Sequence, residues 1–215
     1  MARFRMEDAE NYGGTGGAGF FSLKNDRDTA RVRFLYDSID DVEGYAVHEV
    51  EINGKKRNVN CLRSYNEPVD ACPFCREHKP QRAKVFIPIY NVDEGQNQIW
   101  ERGKKMFSTL TSVFSRCDDA PIVSQEFEIE RNGKPHDTNT TYGIYRTKTP
   151  ADDMTLEDFE EVNLSNVVLD KSAEDMEYYL ENGKFPSESA EEERVVTRRT
   201  QTRRTPATSN RRDDF

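Results

Sequence analysis

Tyr45-Ala46-Val47-His48-Glu49-Val50-Glu51-Ile52-Asn53-Gly54-Lys55-Lys56-Arg57-Asn58-Val59-Asn60-Cys61-Leu62 is the stretch on which the fold turns. Apolar and polar residues alternate on both sides of Asn53-Gly54. That pair is a strong hairpin signal, because a type I′ turn requires positive φ at both central positions. The stretch therefore predicts two antiparallel strands, and residues equidistant from the turn become neighbours across them. His48 lies six residues before Gly54 and Cys61 seven after it, so an imidazole and a thiol are expected together near the open end.

Further along, Cys72-Pro73-Phe74-Cys75 forms a Cys-x-x-Cys knuckle, with ten residues between Cys61 and Cys72. Such a knuckle lets two thiolates face one tetrahedral ion, so His48, Cys61, Cys72 and Cys75 are the predicted ligands of a single zinc. With all four positions filled no reactive water fits, and the metal is expected to be structural. His78, three residues beyond Cys75, and Cys117 stand as alternative fourth ligands. A redox knuckle needs a surrounding βαβ pattern, which is missing. Four cysteines without a signal-peptide pattern or a long apolar run point to a reducing, cytoplasmic setting and to metal before disulfide.

Outward from the hairpin, strand patterns recur at Arg31–Tyr36, Lys84–Tyr90, Gln96–Glu101, Ser124–Arg131 and Thr140–Arg146, with one helical pattern at Lys105–Phe114. Pro88 lacks an N–H and assigns its strand to an edge or a bulge. Several short strands with one helix predict a mainly β fold, a small closed or partly open barrel.

Charge divides the chain. Residues 1–150 carry 22 basic and 23 acidic side chains, 151–193 carry 2 and 15, and 194–215 carry 7 and 2. The overall acidity thus belongs to the C-terminal third and does not exclude a nucleic-acid partner for the rest. The expected organisation is a flexible, glycine-rich arm over 1–24, a barrel core over 25–150 with a metal subdomain at about 45–80, an acidic helical segment over 151–186, and a disordered Arg-rich tail over 187–215. Within the acidic segment, Leu156–Val162 and Ala173–Leu180 read as two short helices, the second stopping at Asn182-Gly183.

Cations and rings interleave in the core: Lys55, Lys56, Arg57, Arg63 and Tyr65, then Tyr90, Trp100, Arg102, Lys104 and Lys105, then Tyr142, Tyr145 and Arg146. Single-strand binders need this combination, because cations follow phosphates while flat rings stack on bases. Phe86, Phe107 and Phe127 read as core, whereas Trp100, beside charge, is expected at the cleft. No nucleophile elbow, P-loop or His-Glu-x-x-His pattern occurs, so no enzyme is expected.

The order His, twelve residues, Cys, ten residues, Cys-x-x-Cys resembles the single-stranded DNA-binding proteins of T-even bacteriophages, whose corresponding gaps are twelve and nine. Val47-His48-Glu49-Val50, Cys61-Leu62-Arg63, Cys72-Pro73-Phe74-Cys75 and Ile99-Trp100-Glu101-Arg102-Gly103-Lys104 also look like related proteins from phages of Gram-positive bacteria. The likeness spans roughly residues 25–148. It implies an OB-fold, a five-stranded Greek-key barrel, with an integral zinc subdomain. It further implies a monomer that coats single-stranded DNA cooperatively during phage replication, recombination and repair in the host cytoplasm. An aromatic cleft would map onto Tyr65, Tyr90, Trp100, Tyr142 and Tyr145. The acidic region would recruit partners and compete with DNA, and of the family's basic arm only Arg3 and Arg5 are present. Asp213-Asp214-Phe215 resembles the tip of bacterial single-strand-binding proteins, which implies recruitment of replication and recombination enzymes. The alternative is a zinc-stabilised protein-interaction module of a replication or transcription complex that does not touch DNA.

Overall fold

The structure, a computed structural model, describes residues 19–135, 137, 139–164 and 167–186. Arg3, Arg5 and the tail with Asp213, Asp214 and Phe215 lie outside the described residues, as does most of the N-terminal arm.

Nine strands form one mixed sheet: β1 (Gly19–Phe20), β2 (Thr29–Phe34), β3 (Gly44–Ile52), β4 (Lys55–Asn60), β5 (Gln81–Asn91), β6 (Gln96–Gly103), β7 (Phe127–Asn132), β8 (Thr141–Arg146) and β9 (Val168–Leu169). Among the described residues three α-helices accompany them: α1 (Pro73–Arg76), α2 (Lys105–Phe114) and α3 (Ala173–Asn182). The fold is mainly β, as expected. The main strand order is β8-β7-β2-β5-β3-β4-β9, with β6 along the other edge of β5 and β1 beside β6. The β1–β6 and β4–β9 pairs are parallel and the rest antiparallel.

The hairpin forms where Asn53-Gly54 puts it, with φ of 51° and 74° at the two turn residues. A side chain at Gly54 would strain that left-handed backbone.

β5 organises the sheet. One edge pairs with β6 from Lys84 to Asn91, while the other pairs with β3 over Gln81–Val85 and with β2 over Ile89–Asn91. Pro88 therefore sits in a central strand, which corrects the edge assignment. Its carbonyl accepts from the Leu35 N–H, so its nitrogen points to the same edge, where β3 has left and β2 is beginning. A missing donor costs least at that exchange of partners.

Two cores lie on opposite sides of β5. Val85, Ile87 and Ile89 face inward with Phe34, Trp100, Phe127 and the Met106, Leu110 and Phe114 stripe of α2. Phe107, expected in the core, is 41% exposed because it falls one position off that stripe. Phe86 and Phe127 are buried as expected, but Phe86 belongs to the opposite face, with Val47 and Ile99.

Two domain expectations need correction. Residues 19–23 are not part of a free arm: β1 pairs with β6, Phe21 is buried 5.8 Å edge-on to Trp100, and Leu23 packs on the same core. The acidic stretch is mostly extended rather than helical. Leu156–Asp158 makes a single 3-10 turn, and Val162, Leu164 and Val167 then pack on the Phe86 face. Phe159, Val162, Leu164 and Val167 find partners on the sheet, which an isolated one-turn helix cannot offer, while Leu156 stays exposed. The second helix forms, capped by Ser172 and ended by Gly183 at φ 70°. We refer to residues 152–164 with 167–169 as the strap.

Candidate functional site

His48 comes from β3, Cys61 from the exit of β4, and Cys72 and Cys75 from the start of α1. The Cys61 N–H donates to the Ala46 carbonyl at 2.9 Å, which extends the hairpin ladder and brings Cys61 beside His48. His48 Nε2 lies 3.6 Å from Cys72 Sγ and 3.5 Å from Cys75 Sγ, and Cys61 Sγ lies 3.6 Å from Cys75 Sγ. All four donor atoms fall within 4.8 Å of one another. A tetrahedral ion with metal–sulfur bonds near 2.3 Å and a metal–nitrogen bond near 2.05 Å separates its ligands by about 3.6–3.8 Å. The cluster can therefore hold one metal ion, with no ligand position left over.

Burial pushes the His48 pKa down, against an upward pull from the Pro80 and Lys79 backbone, and so favours the neutral imidazole that ligation needs. Burial and the neighbouring Cys61 and Cys72 push the Cys75 thiol up to about 12. Burial also opposes ionisation of Cys72, but hydrogen bonds from the Cys75, Leu62 and Phe74 backbone outweigh it and hold that thiol below its usual value. Three sulfurs this close repel as thiolates, and a bound cation removes the conflict. The Gln81 amide donates to Cys61 Sγ at 3.0 Å and fixes the most exposed ligand. His78 is exposed at a φ of 55° and stands outside the cluster, while Cys117 is buried in the inner core. Among the described residues, His48 is the histidine that the cluster contains.

Sequence reasoning missed the cover of this site. Met176 of α3 is fully buried, with its sulfur 3.9 Å from Cys72 Sγ. Phe74, Tyr179 and Phe185 stack in sequence, at 5.7 and 4.8 Å between rings, and Arg76 pairs with Glu177 at 3.4 Å. The apolar positions of the acidic helix carried the signal; their target, more than a hundred residues away, did not show.

The predicted nucleic-acid residues do not line one cleft. Lys55 and Lys56 are exposed at the hairpin, and Arg57 is half-buried beside Asn58 and Glu101 in a small pocket that Lys56, Phe20 and Val167 complete. Arg63 donates to the Glu67 carbonyl, and Tyr65 is 95% exposed in the same loop. Lys104 and Lys105 are exposed at the start of α2. Tyr145 is 53% exposed on the outer side of β8, while Arg146 is tied to Asp119 at 2.6 Å. Tyr142 points the other way, into a stack with Arg102 and Trp100.

Trp100 requires correction. It is fully buried in the inner core and presents no face to a base. Its charged neighbour Glu101 projects to the opposite side of β6, as strand alternation demands, and its second neighbour Arg102 stacks on its ring. Tyr90 does lie on the outer β5–β6 face, but under the strap: Phe159 packs on it at 5.1 Å between rings, and Asn97 donates to the Glu160 carbonyl at 2.7 Å. Lys84, which the sequence reading passed over, sits on this face between Glu49 at 2.7 Å and Glu101 at 2.6 Å.

Among the described residues, no helix is long and apolar enough to cross a membrane. The chain matches no family model and no curated protein, so the meaning of the site rests on its own geometry.

Proposed function

We propose that this chain is a zinc-stapled, OB-type protein that coats single-stranded DNA without sequence preference and without catalysis. Thiolates and one imidazole in a closed four-ligand cluster favour zinc in a structural role. Five strands support the barrel reading: β2, β5, β6, β7 and β8, with α2 between the third and fourth. They pair as first with second, second with third, first with fourth, and fourth with fifth. In this scheme the metal subdomain is an insertion between the first and second strands. The second and third strands of an OB barrel, with the loops beside them, form its oligonucleotide face.

One observation carries the reading. The face of β5 and β6 that an OB barrel offers to a strand is occupied by an acidic chain with an aromatic ring, Glu157-Asp158-Phe159-Glu160-Glu161. Negative charge along an extended backbone, with a ring packed against Tyr90, imitates the features of a nucleotide strand. The strap is then an internal competitor that DNA displaces. The resemblance to phage proteins supports a role in phage replication, recombination and repair, with partners recruited through the C-terminal tip.

The test is a titration of the zinc-loaded chain with thymidine oligomers, followed by fluorescence anisotropy of a labelled oligomer. Affinity is expected to fall steeply as salt rises and to vary little with base sequence. Absence of binding at low salt, also after removal of the strap contact at Phe159, favours the protein-interaction module instead.

A further inference from the structure

The strap leaves one part of the outer face open. Phe159 packs on Tyr90, the Glu160 carbonyl accepts from Asn97, and Val162, Leu164 and Val167 pack on the cluster of Val47, Phe86 and Ile99. Where Val167 ends this cover, a pocket of about 250 Å³ opens, lined by Phe20, Lys56, Arg57, Asn58, Glu101 and Val167. That is just under the roughly 300–1,000 Å³ of sites for drug-sized ligands, the scale of a single nucleobase.

Three kinds of group meet there. Phe20 precedes Phe21, which is buried against Trp100 on the inner side, so strand alternation turns Phe20 outward, where it is 58% exposed. A base laid on that ring buries apolar area on both partners. Lys84 Nζ donates to Asn58 Oδ1 at 2.9 Å and to Glu101 Oε1 at 2.6 Å. An ammonium only donates, so it fixes the Asn58 oxygen and leaves the amide NH2 to donate, while the second Glu101 oxygen is left to accept. Every nucleobase carries both a donor and an acceptor on its edges, so this pair suits a base without demanding one of the four. Lys56, exposed on the hairpin at the rim, supplies positive charge for a phosphate. The Glu101 carboxylate repels a bare anion, so the base enters the pocket and the phosphate stays at the rim.

We propose that this pocket is the entry subsite for a single-stranded polynucleotide. One base stacks on Phe20 with its edge toward Asn58 and Glu101, its phosphate meets Lys56, and the strand then peels the strap back from Leu164 toward Phe159. This rests on the single-strand reading above and adds the place where contact begins. The pocket is continuous with the face under the strap, so the nucleotides next along the strand reach Tyr90 only after Phe159 has left it. A polynucleotide rather than a single nucleotide is therefore the occupant.

Glu101 lies opposite Phe86, and Tyr90 is four residues further along β5, about 13 Å away. A thymidine dinucleotide in the pocket does not span that distance. Titrated into the zinc-loaded full chain, it should shift the amide NMR signals of Phe20, Lys56, Asn58 and Glu101 and leave those of Tyr90 and Asn97 in place. Shifts confined to Tyr90 and Asn97 overturn the entry subsite. Phe159→Ala should leave the dinucleotide affinity unchanged; a dinucleotide that gains as much as a long oligomer binds under the strap, and the subsite fails. Long thymidine oligomers, followed by anisotropy, should bind F20A about tenfold more weakly than the wild type, within the range for one base–aromatic stack. In K56Q the slope of log affinity against log salt should shrink by about 0.7, the value for one phosphate contact on a single strand. Wild-type affinity in F20A together with the wild-type slope in K56Q overturns the subsite and leaves single-strand coating standing. A wild-type chain that binds no oligomer at low salt overturns both readings. If thymidine monophosphate binds as tightly as the long oligomer, the occupant is a free nucleotide and the polynucleotide assignment fails.

Discussion

The ring of Phe159 packs 5.1 Å from the ring of Tyr90, so an acidic segment more than sixty residues away covers the outer face of β5 and β6. Asn97 fastens the next backbone carbonyl, and Val162 and Leu164 continue the contact onto Phe86.

Phe159→Ala removes the ring without touching the metal centre or the inner core. Oligomer affinity should rise several-fold as the internal competitor weakens, with the melting temperature lowered by a few degrees at most. Unchanged affinity would mean that the strap does not compete. Deleting 151–215 is a poorer test, because it also strips Met176 and Phe185 from the metal subdomain.

Metal removal should be felt far along the chain. Met176 and Phe185 share a buried cluster with Phe74, Cys72 and Cys75, so loosening the knuckle deprives α3 of its seat. Adding a chelator is expected to raise amide hydrogen exchange across 173–186 as well as across 61–79. Met176→Ala should cost about 2–4 kcal/mol, as for other large-to-small core substitutions. Protection of 173–186 that survives complete metal loss contradicts the coupling.

Acid should release the start of the strap. Asp152 accepts from both Nη atoms of the buried Arg33, at 3.1 and 2.6 Å. Burial resists its ionisation, but the Arg33 hydrogen bond overrides this and holds the carboxyl below its usual value. A carboxyl with a depressed folded pKa adds stability above its unfolded value, near 3.9, and loses it as pH falls through the folded value. Asp152→Asn should therefore lower stability at pH 7 by about 1 kcal/mol, after allowance for a side chain 41% exposed. Thermal melts of the two proteins should converge below about pH 3; a constant difference down to that pH rules out the ion pair as its source.

Trp100 should emit as a buried indole. Its emission is expected to be blue-shifted and protected from acrylamide in the free protein, and Trp100→Ala should cost about 3–5 kcal/mol. A red, readily quenched emission would contradict the burial found here.

The metal centre was the most legible part of the chain, because hairpin and knuckle are local. Asn53-Gly54 sets the register that brings His48 to Cys61, and the Cys72-x-x-Cys75 spacing does the rest. Helix α2 was legible for the same reason, although its stripe through Met106, Leu110 and Phe114 leaves Phe107 outside. Trp100 misled because adjacency in sequence is not adjacency in a strand, where Glu101 departs to the other face. The strands β1 and β9 are two residues each and exist only through distant partners, Gln98-Ile99 and Asn58-Val59. Nothing in Leu156–Val162 announces that Phe159 and Val162 will be taken by the sheet before a helix can form.

The spacing of the metal ligands also implies an order of events during synthesis. His48 and Cys75 are 27 residues apart, whereas Cys72 and its cover at Met176 are separated by 104. Closing the short loop costs less entropy, and chains emerge from the ribosome N-terminus first. The knuckle can thus capture its ion, and the sheet can display Tyr90 and Phe86, before the segment that covers them has left the exit tunnel. For that interval the nascent chain has an open β5–β6 face, bare of the segment that later covers it.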